Sequence, residues 1–266
     1  MADIPIDATA QGDTRARRLQ RLRLAVAESG TLHLKDAAHL LNVSEMTVRR
    51  DLAASDAALV CLGGYVVNAA SATTVKYAFE QEIDQHTHDK RLACRSAVAS
   101  IREGDTIFID CGTTMQSLAD CLPEGLPLSV ICYSMNVAAI VTRRPATQVI
   151  LIGGLYHPSS QSFSSDEGLS YLRRLGINKA FISAGGVHPV RGASCSNFHE
   201  IAIKQAVIAT AMESILVADA SKLGSLKPAF FSDVSSFSRI IVGGSVSADT
   251  RKHFRSLPVE YVTSTA

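Results

Sequence analysis

Ser44-Glu45-Met46-Thr47-Val48-Arg49-Arg50-Asp51-Leu52 reads as a short helix held from one side and presented to an anion from the other. Val48 and Leu52 are four apart and share a face. Ser44 is a preferred N-cap, and Glu45 puts negative charge beside the positive end of the helix dipole. Met46, Thr47, Arg49 and Arg50 then point away from the Val48/Leu52 face. They make a cationic, hydrogen-bonding surface on a rod about as wide as the DNA major groove. Just upstream, Leu34 to Leu41 forms a compact apolar helix joined to the first through Asn42 and Val43 alone. Two helices so closely joined cross steeply. Ala37 and Ala38 allow close approach, and Leu40, Leu41, Val43, Val48 and Leu52 supply a joint core, as in a helix-turn-helix. On periodicity alone an ordinary helical hairpin in an enzyme, with both arginines merely solvated, stands equally well.

The surroundings extend this reading. Arg15 to Glu28 predicts a bracing helix with Leu19, Leu22 and Val26 on one face and arginines around the rest, one of them available to the DNA backbone. Thr31-Leu32-His33 fits a first wing strand. Leu59 to Leu62 and Tyr65 to Val67, joined by Gly63-Gly64, fit a hairpin. The chain has 266 residues and a net charge of +1, so nucleic-acid binding has to be local rather than spread over a basic surface. Residues 14 to 52 hold eight Lys or Arg against four acids, a net of +4, which leaves −3 for the remainder. Six scattered cysteines form no Cys-x-x-Cys and no zinc spacing, so neither a disulfide framework nor a metal site is expected. With no signal peptide and no apolar run near the length of a membrane span, a reduced cytoplasmic protein without membrane contact is expected.

Residues 1 to 13 lack periodicity and read as a disordered leader, 14 to 67 as a winged helix-turn-helix domain, and 68 to 89 as a linker. From 90 to 266 helical stretches alternate with apolar runs at Thr106–Ile109, Ser129–Cys132, Gln148–Ile152, Ala180–Ser183, Ile215–Ala218 and Ile240–Val242. That alternation predicts an α/β domain with a largely parallel sheet covered on both faces. Five strand ends then carry small, hydroxyl or amide residues: Asp110-Cys111-Gly112-Thr113-Thr114, Tyr133-Ser134-Met135-Asn136, Gly153-Gly154, Ala184-Gly185-Gly186 and Asp219-Ala220-Ser221-Lys222. Each alone is an ordinary turn or cap. Converging on one sheet edge, they suit a small polyhydroxylated phosphate ester, with N–H groups cradling the phosphate and acceptors for its hydroxyls. Asp110 is expected to avoid the phosphate and to accept from a sugar hydroxyl or pair with Lys222 or Lys204. His188 and Cys195 show no arrangement of a catalytic pair.

The string Val43-Ser44-x-x-Thr47-Val48-Arg49-Arg50-Asp51-Leu52, with Leu34-Lys35-Asp36-Ala37-Ala38 before it and Leu62-Gly63-Gly64-Tyr65 after it, resembles the DeoR family of transcriptional regulators. The resemblance runs from about Arg18 to about Gly243. It implies an operator-binding repressor, with Ser44, Glu45, Met46, Thr47, Arg49, Arg50 and Lys35 toward DNA and no cofactor. It also implies a C-terminal sensor domain similar in fold to sugar-phosphate isomerases, with the effector at Asp110, Gly112, Thr113, Thr114, Ser134, Asn136, Gly153, Gly154, Gly185, Gly186, Lys204, Asp219 and Lys222. In one family member that effector is deoxyribose 5-phosphate. Family members carry basic residues just before the glycine pair, where this chain has Val60, Cys61 and Leu62, which weakens the expectation of phosphate contact from the wing. A homo-oligomer is expected. The competing reading is a sugar-phosphate isomerase with an accessory domain, for which Asp110, Asp219 and Glu200 are the available carboxylates.

Overall fold

The computed structural model describes residues 8–29, 31–53, 59–62, 65–69 and 85–264. The chain divides into two compact units, Met1–Val75 and Lys76–Ala266. The turn at Gly63-Gly64, most of the expected linker and residues 1–7 lie outside the described residues.

In the first unit, α1 (Ala8–Ser29), β1 (Thr31–His33), α2 (Leu34–Leu41) and α3 (Glu45–Ala53) precede β2 (Leu59–Leu62) and β3 (Tyr65–Asn68). α1 begins at Ala8, inside the stretch read as a disordered leader; lengthening an existing helix costs far less than nucleating one. Leu22, Val26, Leu34, Ala37, Ala38, Leu41, Val48, Leu52, Leu59 and Val66 form one core. Leu40, expected in that core, is exposed instead. The α2 face is set by positions 34, 37, 38 and 41, and position 40 falls outside that stripe. Asn42 turns the chain between α2 and α3 with φ +53°, and its N–H bonds back to the α2 carbonyls of Ala38 and His39. Asn is one of the few side chains that tolerate the left-handed region. β3 lies between β1 and β2, antiparallel to both.

In the second unit, the elements run α4 (Thr87–Val98), β4 (Thr106–Ile109), α5 (Thr113–Asp120), β5 (Leu128–Cys132), α6 (Met135–Val141), β6 (Thr147–Leu151), β7 (Leu155–His157), β8 (Ser162–Ser164), α7 (Asp166–Leu172) and β9 (Lys179–Ile182). They continue with β10 (Gly186–His188), β11 (Gly192–Cys195), a 3-10 turn (Phe198–Glu200), α8 (Ile201–Thr210), β12 (Glu213–Asp219), β13 (Ala229–Ser232), β14 (Arg239–Gly243), α9 (Ala248–His253) and β15 (Val259–Val262). Seven strands form one parallel sheet in the order β15-β14-β12-β9-β4-β5-β6. Ile107, Ile109, Val130, Cys132, Phe181, Ile215, Val217 and Ile241 pack on α4, α5 and α6 through Ala93, Ala97, Met115, Leu118, Val137 and Val141. The intervening Phe108, Ala180, Ile182 and Leu216 are buried on the opposite face, where α8 meets β9 and β12. Burial on both faces explains why these strands are apolar throughout rather than alternating. β5 and β6 extend the sheet on one side of β4, whereas β9 returns to its other side. The strand order therefore reverses between β4 and β9.

Candidate functional site

The DNA-facing candidates all sit in the first unit. Ser44 caps α3, its Oγ accepting from the Thr47 N–H at 3.1 Å and lying 2.9 Å from Thr47 Oγ1. Val48, Asp51 and Leu52 are buried, while Glu45, Met46, Arg49 and Arg50 are exposed and Thr47 is half-buried. Arg49 Nη1 reaches Cys61 Sγ on β2 at 3.7 Å, and Lys35 stands exposed on α2. Three arginines of α1 brace this unit from within. Arg18 pairs with Asp51 at 2.7 Å, Arg15 donates to the Asp51 carbonyl at 3.2 Å, and Arg21 donates to the Leu40 carbonyl at 2.7 Å. The Asp51 carboxylate holds the Arg18 guanidinium above its ordinary pKa, against a smaller opposing effect of burial. An arginine bound to the C-terminal turn of α3 fixes the pose of that helix.

In the second unit, the switch point between β4 and β9 opens into a cleft of about 310 Å³ including its mouth, lined by Cys111, Gly112, Ser183, Gly185, Cys195, Ser196, Asn197 and Glu200. Open parallel sheets bind ligands at this position, outside the carboxyl ends of the strands. Gly112, at φ +99°, caps α5 with no side-chain bond, so the first-turn N–H groups of α5 lack a capping side chain. Thr113 and Thr114 are buried there, and Thr113 Oγ1 accepts from the buried Lys90 Nζ at 3.0 Å. Asn136 donates to the Gly112 carbonyl at 3.4 Å. Its Oδ1, the Ser134 hydroxyl and Asp219 Oδ2 are buried with no protein partner.

Beneath the cleft lies a charged cluster that the sequence pointed to only in part. Asp110 and Lys204 are fully buried and paired, and Lys204 Nζ lies 3.6 Å from Glu200 and donates to the Ser183 carbonyl at 3.1 Å. Of the two lysines considered for Asp110, it is Lys204 that pairs with it. Asp110 also accepts from Tyr133 at 2.7 Å and from the Ser183 N–H and hydroxyl, each at 2.8 Å. Glu200 accepts from Asn197 Nδ2 at 2.8 Å. Burial pushes the Glu200 carboxyl above its usual range, with Lys204 pulling it back. For Lys204 burial acts downward, but Asp110 and Glu200 outweigh it and hold the ammonium charged.

The other candidates fall elsewhere. Gly153 and Gly154 are exposed where the chain leaves β6, two strands from β4, and a Cβ on Gly154 would stand 2.4 Å from the Ser164 carbonyl oxygen. Gly186 opens β10 against the Ser225 carbonyl, where a Cβ would stand at 2.6 Å. Both positions therefore meet close backbone approaches. Asp219 accepts from the Ser221 N–H at 3.0 Å, and Lys222 is half-buried in the following 3-10 turn. His188 Nδ1 accepts from the N–H groups of Val190 and Arg191, capping the β10–β11 turn. Cys195 bonds to the Asn197 carbonyl at 3.4 Å, and burial raises its thiol well above the ordinary value, which makes it unreactive. Cys111, quoted with the first of the strand-end motifs, lines the cleft, and so do Ser196 and Asn197, which were not expected there.

Comparison with known proteins matches residues 18–70 to a DeoR-like helix-turn-helix domain and residues 85–244 to a DeoR C-terminal sensor domain. The deoxyribose operon repressor of Escherichia coli K12 is 34% identical over 227 residues, 85% of this chain and 90% of that protein. The transcriptional regulator IolR of Bacillus subtilis is 30% identical over 78% of this chain and 82% of its own length. Among solved structures, ribose 5-phosphate isomerase A of Neisseria gonorrhoeae aligns with a TM-score of 0.37 and 17% identity, covering 53% of this chain and 55% of that one. No helix among the described residues is long and apolar enough to cross a membrane.

Proposed function

This chain belongs to the DeoR family of transcriptional regulators, and from that premise we propose a repressor of a sugar or deoxyribonucleoside catabolic operon, released from its operator by a phosphorylated sugar, deoxyribose 5-phosphate foremost. The protein is a regulator and not an enzyme. The observation that carries the effector reading is the cleft at the strand-order reversal, with an uncapped helix start on one wall and the Glu200 carboxylate with the Asn197 amide on another. The first suits an anion and the second suits hydroxyls, so one phosphorylated sugar satisfies both. Gly112, Thr113 and Thr114 take the phosphate. Ser134, Asn136 and Gly185 complete the polar surround, and Asp110 and Lys204 hold the floor. The likeness to a protein named for the deoxyribose operon favours deoxyribose 5-phosphate among phosphosugars.

On the DNA side, Arg49 and Arg50 contact operator phosphates or base edges, with Met46 and Thr47 beside them. One helix of nine residues is a small contact, so two or more copies act together in the cytoplasm, each α3 entering its own major groove. Effector and DNA then weaken each other's binding by the same factor. A melting screen of the full chain against deoxyribose 5-phosphate, ribose 5-phosphate, glucose 6-phosphate and inorganic phosphate tests the effector. A ligand present at about a hundredfold over its Kd stabilises by about 2.7 kcal/mol. Deoxyribose 5-phosphate is expected to give the largest rise. A panel that leaves the melting temperature unmoved contradicts the effector reading.

A further inference from the structure

On α3 the exposed row runs through Met46, Arg49 and Arg50, and its neighbours are already engaged. The hydroxyls of Ser44 and Thr47 face each other at 2.9 Å, and Ser44 Oγ also holds the Thr47 N–H. The Arg49 guanidinium leans toward Cys61 Sγ. Glu45 is anionic and sits at the helix start. Met46 is 73% exposed in the first turn, the end of a recognition helix that enters the groove. A thioether donates nothing and accepts only weakly, so a guanine oxygen pressed under it loses its hydration without a replacement bond and a cytosine amino group gains only a weak one. The major groove offers one apolar group, the 5-methyl of thymine. A flexible, polarizable side chain such as methionine packs readily against a methyl.

We propose that Met46 reads a thymine methyl in the operator, so that the recognised sequence carries a thymine at the position facing the first turn of α3. This rests on the reading of α3 as the DNA-binding helix. Removing one buried methyl weakens affinity about fourfold.

The test begins with in vitro selection of duplexes from a random pool by the full chain. Each thymine of the selected duplex is then replaced singly by deoxyuridine, which removes the methyl and leaves every hydrogen-bonding group in place. The expected result is a thymine at which the replacement weakens binding by the full chain about fourfold, yet leaves binding by Met46→Ala unchanged. Met46→Leu is expected to retain part of the sensitivity. Selected duplexes in which every thymine replacement has the same effect on the native chain and on Met46→Ala overturn the proposal while leaving the DNA-binding reading intact. A selection that enriches no sequence overturns the underlying reading instead.

Discussion

Replacing Lys204 by methionine removes the cation shared by two buried carboxylates while keeping the apolar stem. The lysine touches Asp110, Glu200 at 3.6 Å and the Ser183 carbonyl at 3.1 Å, and its side chain is fully buried. Asp110 keeps its bonds from Tyr133 and Ser183 but loses the ion pair it makes with Lys204. Breaking a buried pair this way costs about 3–5 kcal/mol. For a domain of this size each kcal/mol moves the melting temperature about 2–4 °C, so a fall of roughly 6–20 °C is expected near neutral pH. Burial already raises the Glu200 carboxyl and Lys204 pulls it back, so without the lysine the carboxyl rises further. A folded-state pKa raised above its unfolded value favours the fold at pH below both values, and that advantage disappears as pH rises through the folded value. The variant is therefore expected to recover relative to the native chain as pH falls from about 7.5 to about 5. Combining Lys204→Met with Asp110→Asn is expected to restore much of the loss. Circular dichroism melts at the two pH values check this. A single variant melting within about 2 °C of the native chain, or losing equally at both pH values, refutes the reasoning.

Further outcomes follow from the same geometry. Arg49→Ala combined with Arg50→Ala is expected to abolish retention of the selected duplex in a gel-shift assay while leaving the sugar phosphate melting response in place. Asp51→Ala breaks the Arg18 pair at 2.7 Å inside the helix-turn-helix unit. It is expected to destabilise that unit by about 1–3 kcal/mol, read as a lower melting temperature, and to weaken DNA binding although Asp51 is buried away from the DNA face. The His199 ring stacks on His157 at 3.6 Å, and burial, with His157 and Lys204 adding to it, pushes its pKa down to about 3. Its neutral form stabilises the fold above the unfolded value of about 6.5, and that contribution drains away as pH falls toward 3. His199→Phe is expected to flatten the acid limb of the melting profile, measured between roughly pH 7 and pH 4.

The central strands were legible because burial on both faces leaves nearly unbroken apolar runs such as Ile107-Phe108-Ile109 and Ile215-Leu216-Val217-Ala218. β15 was not. Val259-Glu260-Tyr261-Val262 is an edge strand carrying Glu260, which Arg239 and Ser96 hold in solvent, so its pattern breaks where the others continue. The antiparallel strands β10, β11 and β13 were missed because three or four residues are too few to show a periodicity. That omission hid Asn197 and Ser196, which follow β11 into the cleft. Lys204 left a trace, as the one charged residue in a largely apolar helix, four residues after Glu200. The α1 arginines divide. Their spacing marks them all as surface residues, the crossing of α1 over α2 and α3 turns Arg15, Arg18 and Arg21 onto protein, and Arg17 and Arg23 stay exposed.

The most direct test is release itself. Labelled selected duplex is saturated with the full chain, and deoxyribose 5-phosphate is titrated in while fluorescence anisotropy is followed. The expected result is a fall to the value of free DNA with deoxyribose 5-phosphate, little response to inorganic phosphate, and no response after replacement of Gly112, whose backbone holds φ +99° at the cleft, by alanine. Anisotropy that stays at the bound value through saturating deoxyribose 5-phosphate, under conditions where the sugar phosphate measurably raises the melting temperature, contradicts it.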